Sequence, residues 1–311
     1  MARWTTTDIP EQTGRTVLVT GANSGLGLQS AQVLAARGAR VLMACRNAEK
    51  GREAQRLVAA HAIAEPELVE LDLADLGSVQ RAAEDIRKRT GDELDVLMNN
   101  AGVMAPPRGS TEDGFELQIG TNHLAHAALT WQLMPALRAR PGARVVTLSS
   151  IAHRGGSLDI DDLNFQRRRY SPSRGYSQSK LANLLFAFEL DRRARRAGLD
   201  LRSIAAHPGM SGSELALNSL RARSLPDALT SIARPFNDLI TQSVAQGALP
   251  QLFAATDPAA TSGSYYGPDG FAEIRGYPTR AKTTSTAQDT RLAERLWTAT
   301  EQLTGVDADP R

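Results

Sequence analysis

Between Arg15 and about His207, short runs of branched aliphatic residues alternate five times with longer helical stretches, and this alternation leaves few folds open to the chain. The strand-like runs are Thr16–Thr20, Arg40–Ala44, Leu68–Asp72, Val96–Asn99, Arg144–Leu148 and Leu201–Ala205. None carries the polar–apolar alternation of a half-solvated strand, as expected for strands covered on both faces. Helical patterns lie near Gly25–Arg37, Asn47–Ala60, Leu76–Thr90, Gly114–Arg138 and Tyr176–Ala197. Gly38, Gly91, Gly142 and Gly198 follow four of them, where a left-handed residue closes a helix. Repeated strand–helix units with right-handed crossovers imply an α/β fold, a doubly wound parallel sheet with helices on both faces.

No composition shift or repeat marks a linker, so residues 1–311 read as a single domain. After Gly209 the pattern loosens into a helical excursion over about 213–235, a helix near 238–254 and a short strand at Gly263–Tyr266. Leu215, Leu217, Leu220, Leu225, Leu229 and Ile232 make the 210–240 region a candidate substrate rim or lid, with a core-facing helix as the alternative. A C-terminal extension at about 267–311 contains an amphipathic helix, Asp289–Leu303, with Leu292, Leu296, Ala299 and Leu303 on one face.

Charge and composition narrow the partners. The 36 basic and 34 acidic residues leave a net charge of only +2, which argues against a nucleic-acid partner. The apolar stretches are shorter than the roughly 18 residues of a membrane span, and the opening residues lack a secretory core, so a cytoplasmic protein is expected. The lone Cys45 forms no internal disulfide and reads as a small buried residue at a strand end. His123, His126, His153 and His207 lack zinc-site spacing, so packing or surface roles and no metal are expected.

A phosphate-binding turn follows the first strand. Thr20-Gly21-Ala22-Asn23-Ser24-Gly25-Leu26-Gly27 runs from strand into helix, and small residues there let backbone amides approach a pyrophosphate at the positive end of the helix. Gly21, Asn23, Ser24, Gly25, Leu26 and Gly27 are the candidate contacts. The Gly-x-x-x-Gly-x-Gly spacing differs from Gly-x-Gly-x-x-Gly, and no Lys-Ser/Thr pair follows, which disfavours a nucleoside triphosphate loop. At the end of the second strand, Ala44-Cys45-Arg46-Asn47 offers no carboxylate for ribose hydroxyls but an Arg46 fork that suits a 2′-phosphate. NADP is therefore expected in preference to NAD. Asp72 and Leu73 lie where an adenine edge would rest, with helix capping as the alternative for Asp72. Asn100, Ala101 and Gly102, leaving the fourth strand, put small groups at the carboxyl edge of the sheet where such folds bind ligands.

The residues with proton chemistry follow. Tyr176 and Lys180 are four apart at a helix start, which sets them on one face one turn apart, and no other Tyr has a Lys at that spacing. A phenol titrates at about 10, and a nearby ammonium draws it toward the working range. Upstream, Ser149-Ser150 ends the fifth strand, where a hydroxyl can hold a carbonyl or alkoxide oxygen, although a cap or turn explains a serine pair equally. Asn122 is polar within an apolar helical pattern, a candidate anchor for a relay water or a satisfied buried amide.

Thr20–Gly27, Asn99–Gly102, Ser150, Tyr176–Lys180 and Pro208-Gly209, in that order, resemble the short-chain dehydrogenase/reductase family over roughly residues 14–210. Ala44-Cys45-Arg46, Asp113–Glu116, Thr121–Leu124, Ser179–Asn183 and Ala206–Gly209 resemble its retinol dehydrogenase-like branch. That resemblance implies a Rossmann-like fold and hydride transfer between a nicotinamide cofactor and a small-molecule carbonyl or alcohol. It also implies Tyr176 as acid/base, Lys180 on the nicotinamide ribose, Ser150 rather than Ser149 on the reacting oxygen, and Asn122 on the relay water. Pro208, Gly209, Ser211 and Ser213 fall in the stretch similar to the carboxamide-binding segment, though many members have Thr where the serines stand. The longer Ser150–Tyr176 interval implies an extended rim carrying His153, Tyr170 and the Arg167–Arg169 run. A homo-oligomer paired through the two long helices is a candidate assembly. The contrasting expectation is a sensor or scaffold that binds a dinucleotide without chemistry.

Overall fold

The computed structural model describes residues 3–210 and 242–310. Ser211, Ser213 and the excursion expected over 213–235 lie outside the described residues. Eight strands form one sheet in the order β3-β2-β1-β4-β5-β6-β7-β8. They are β1 (Thr16–Thr20), β2 (Arg40–Cys45), β3 (Glu67–Glu70), β4 (Val96–Asn99), β5 (Ala143–Leu148), β6 (Leu201–Ala206), β7 (Tyr265–Pro268) and β8 (Pro278–Arg280). All pairings are parallel except β7 with β8, an antiparallel edge that the sequence pattern did not suggest. Strand order reverses between β1 and β4, and at such a point two crossovers diverge and open a crevice at the carboxyl edge.

The uniform aliphatic strands follow from burial on both faces. Leu18, Leu97 and Val145 pack into one apolar layer, with Trp131, Phe186 and Trp297. Their neighbours Val17, Val19, Val96 and Val146 pack into the opposite one, with Leu34 and Leu252. Cys45 is buried at the end of β2 with its thiol pushed up to about 11 by burial, so it is a packing residue as expected. No helix among the described residues is long and apolar enough to cross a membrane.

Helices α1 (Gly25–Ala36), α2 (Ala48–Ala59) and α3 (Leu76–Thr90) match their patterns, and Gly38, Gly91, Gly142 and Gly198 all take left-handed φ. The stretch expected as one helix over Gly114–Arg138 is broken. It begins as α4 (Leu117–Ile119), widens through a π-helical turn at Gly120–Leu124, and continues as α5 (Ala125–Gln132) and α6 (Met134–Arg138). The long helix α7 (Pro172–Arg196) starts a turn earlier than expected, because Ser171 accepts from the Arg174 amide and Pro172 stands at the first helical position. Beyond the sheet lie α8 (Leu249–Thr256) and α9 (Thr290–Thr304). The buried face of α9 is Ala293, Leu296, Trp297 and Thr300, whereas Leu303 is 37% exposed. The expected stripe was rotated because Trp297, stacked on Phe186, sets the helix azimuth.

Candidate active site

Thr20, the last residue of β1, organises the crevice. Its buried hydroxyl accepts from the Asn100 and Ala101 amides (2.9 Å each) and lies 3.0 Å from His126 Nε2. The Asn100 side chain donates back to the Thr20 carbonyl (2.7 Å), so the ends of β1 and β4 are stitched together. Gln251 on α8 donates to the Leu26 carbonyl and to Ser30 Oγ, tying the glycine turn and α1 to the neighbouring helix on the same face of the sheet. Gly27 has to be glycine, since a Cβ there would lie 2.3 Å from the Gly21 carbonyl oxygen. Ser24 precedes α1 without capping it through its side chain, so the hydroxyl and the opening amides keep hydrogen-bonding capacity for an anion.

These elements enclose a cleft of about 360 Å³. All twelve residues expected between Gly21 and Gly102 line it: the glycine-turn set, Arg46, Asp72, Leu73, Asn100, Ala101 and Gly102. Asp72 also closes its own turn, with Oδ1 accepting from the Ala74 amide, while the cap of α3 is Asp75. Lys50, Val103 and Thr121 line the cleft too and were missed. Lys50 had a readable signal, because it follows Arg46 by four residues where a helix begins.

At the inner end, Gly102 joins the cleft to the proton-bearing group, for a Cβ built there would lie 2.9 Å from Asn122 Oδ1 and 3.6 Å from Lys180 Nζ. On α7, Lys180 Nζ sits 5.7 Å from the centre of the Tyr176 ring and donates to the Leu148 carbonyl (3.2 Å). Ser149 donates to the Lys180 carbonyl (2.7 Å), which fixes β5 to α7. Ser150 instead lies beside the Tyr176 phenol, whose pKa it lowers, and its hydroxyl accepts from the Ala152 amide (3.1 Å). The two serines thus have different jobs: Ser149 is tied to backbone and Ser150 faces the tyrosine.

Burial dominates the titrations. It pushes the Tyr176 phenol up to about 12, against the pull of the Ser150 hydrogen bond, and brings the Lys180 ammonium down to about 8. The sequence expectation of a phenol drawn downward by the ammonium is therefore corrected, since desolvation dominates and only Ser150 opposes it. The Asn122 amide is fully engaged. Its Oδ1 accepts from the Val103 amide (2.8 Å), and its Nδ2 donates to the Val103 carbonyl and to Ser179 Oγ (2.9 Å each). That geometry fits the satisfied-amide alternative for the side chain. Pro208 and Gly209 follow β6, beside the end of β5; Gly209 has φ +65°, and a Cβ would lie 2.3 Å from the Ile274 carbonyl oxygen.

His153 is a further correction, because it is wholly buried rather than on a rim, with Nδ1 2.6 Å from the Ser150 carbonyl. Tyr170 is half-buried, its hydroxyl bonded to Gln118 and the Pro106 carbonyl. No group of three or more His, Cys, Asp or Glu among the described residues is placed to hold a metal ion.

A glycine-lined cleft at the switch point of a doubly wound sheet defines the class, an α/β protein of Rossmann-like architecture with its ligand crevice at the carboxyl edge. A family model described as short chain dehydrogenase matches residues 15–160. Human (Homo sapiens) retinol dehydrogenase 13 is 38% identical over 298 residues, which cover 95% of this chain and 86% of that protein. The crystal structure of an uncharacterised protein from Mycobacterium paratuberculosis is 43% identical with a TM-score of 0.81, covering 99% of both chains. The fold also matches L-sorbose reductase from Gluconobacter frateurii, solved with NADPH and L-sorbose, at 21% identity and a TM-score of 0.65 over 83% of this chain and 95% of that one. The chain belongs to the short-chain dehydrogenase family. It is an oxidoreductase that works with a nicotinamide cofactor on small-molecule substrates.

Proposed function

We propose that the protein is an NADP-dependent oxidoreductase that interconverts an apolar carbonyl compound and its alcohol, with Tyr176 as acid/base. The observation that carries this reading is Lys180 Nζ 5.7 Å from the Tyr176 ring one helical turn away, with Ser150 beside the phenol, at the inner end of the cleft. The bound cofactor supplies or accepts the hydride at its nicotinamide. Amides of the Gly21–Gly27 turn hold the pyrophosphate. Arg46 and Lys50, both exposed at the cleft edge, offer a bidentate fork and a point charge to a 2′-phosphate. Ser150 orients the reacting oxygen, and Tyr176 gives it a proton in reduction or takes one in oxidation. Lys180 binds the nicotinamide ribose, and Asn122 fixes the Val103 segment beside it. Pro208 and Gly209 lie on the carboxamide side. The name of the retinol dehydrogenase relative favours an apolar alcohol or aldehyde. No observation favours the sensor or scaffold alternative.

A phenol at about 12 stays protonated through the neutral range, so it is ready to donate. Carbonyl reduction is therefore expected to be flat with pH across the neutral range, whereas alcohol oxidation rises with pH as phenolate forms. The test of the proposal is turnover of purified protein with NADPH or NADH across apolar aldehydes, ketones and alcohols. The expected result is saturable turnover with NADPH preferred; tight NADPH binding with no turnover of any substrate contradicts it.

A further inference from the structure

One carboxylate of the C-terminal extension reaches both sides of this site. Glu273 Oε2 accepts from Arg154 Nη2 (2.6 Å), four residues after Ser150, and lies 3.1 Å from His207 Nε2, immediately before Pro208-Gly209. Its second oxygen accepts from the Lys282 amide (2.9 Å). The Gly209 amide donates to His207 Nδ1 (3.2 Å), so the ring proton sits on Nε2 and His207 donates it to Glu273. Gly267 makes room for this ring, since a Cβ there would lie 1.8 Å from His207 Nε2. Burial opposes the charge on Glu273, yet these donors hold its carboxyl at about 2, so it is ionised wherever the enzyme works.

The backbone that delivers this side chain is strained. Ala272 and Glu273 both hold left-handed φ (52° and 59°), a region ordinary side chains rarely adopt, and least often in succession. Strain of this kind persists only where surrounding contacts over-determine it. The contacts here are the three donors to the Glu273 carboxylate, together with backbone bonds from the Glu273 amide to the Gly270 carbonyl and from the Met210 amide to the Ile274 carbonyl.

We propose that Glu273 is a positioning residue for the reaction. By holding Arg154 and His207 on one oxygen, it sets the Ser150 turn against the Pro208-Gly209 turn and so fixes the spacing between the reacting oxygen and the nicotinamide side. The inference rests on the function proposed above. It touches no reacting atom itself.

The test compares wild type, Glu273→Gln, Arg154→Ala and their double variant, with Tyr176→Phe alongside. Each is measured with NADPH and whichever of retinal, decanal and benzaldehyde the wild type reduces fastest. Glu273→Gln is expected to lower kcat about 10- to 100-fold. NADPH Kd by fluorescence titration should stay within about 2-fold, and the isotope effect with 4-deuterated NADPH should rise as hydride transfer limits turnover. Arg154→Ala, which removes one arm from a half-exposed position, should give a smaller loss, and the double variant should be no worse than Glu273→Gln. Unchanged kcat in both single variants overturns the inference, as does a loss that only tracks the folded or NADPH-binding fraction. If Tyr176→Phe keeps full activity, the proposed function itself fails and the inference falls with it. If Tyr176→Phe is inactive while Glu273→Gln is normal, only the inference falls.

Discussion

At the scale of single residues, cofactor choice and proton transfer are separable. Arg46 and Lys50 stand exposed at the cleft edge, so their charges are available to a phosphate. Arg46→Ala is expected to lower the NADP over NAD affinity ratio by about 10- to 100-fold, the worth of one charge-assisted contact, and Lys50→Ala by less. Titration of each variant with both cofactors checks this, and an unchanged ratio in Arg46→Ala removes the phosphate role. Arg46 was legible because strand ends in this fold face the ligand. Lys50 was not weighed, although its spacing from Arg46 carried the same information. The environment of Tyr176 was illegible for a physical reason. Whether a phenol titrates up or down depends on how much water the fold removes from it, and that is set by residues far away in sequence.

At the scale of elements, the site depends on strands and helices being locked in register at their carboxyl ends. Thr20 is the clearest lock, accepting two backbone amides from the segment after β4. Thr20→Val preserves volume but leaves those donors without their acceptor. It is expected to cost about 2–4 kcal/mol of stability and to weaken NADPH binding. Urea denaturation reads the first effect and titration the second; a loss below about 0.5 kcal/mol contradicts the role. The strands were readable almost to the residue because burial on both faces imposes continuous aliphatic runs. The break at Gly120–Leu124 was not, since nothing in those five residues marks a π turn, and the bond that Asn122 makes there reaches Val103 outside the helix. The antiparallel β8 was equally hidden in Pro278–Arg280, three residues paired to β7 at the sheet edge.

For the whole molecule, buried histidines make folding sensitive to acid. Burial holds His123 at about 3 and His126 at about 4, against 6.5 in an unfolded chain. The unfolded state therefore binds more protons between about pH 6.5 and 4, so stability is full above that window and falls as pH drops through it. The pair is expected to cost about 2–3 kcal/mol per pH unit near pH 5, seen as a lower urea midpoint at pH 5 than at pH 7. Equal midpoints contradict it. The global architecture was legible from alternation alone, whereas the return of the C-terminal extension to the site was not, because Glu273 meets Arg154 across 119 positions of chain. The account as a whole stands on Tyr176, and single-turnover reduction of an apolar aldehyde by NADPH-loaded Tyr176→Phe tests it most directly. A fall in the hydride-transfer rate of about 100-fold or more, with NADPH affinity retained, is the predicted result. Hydride transfer at the wild-type rate contradicts it.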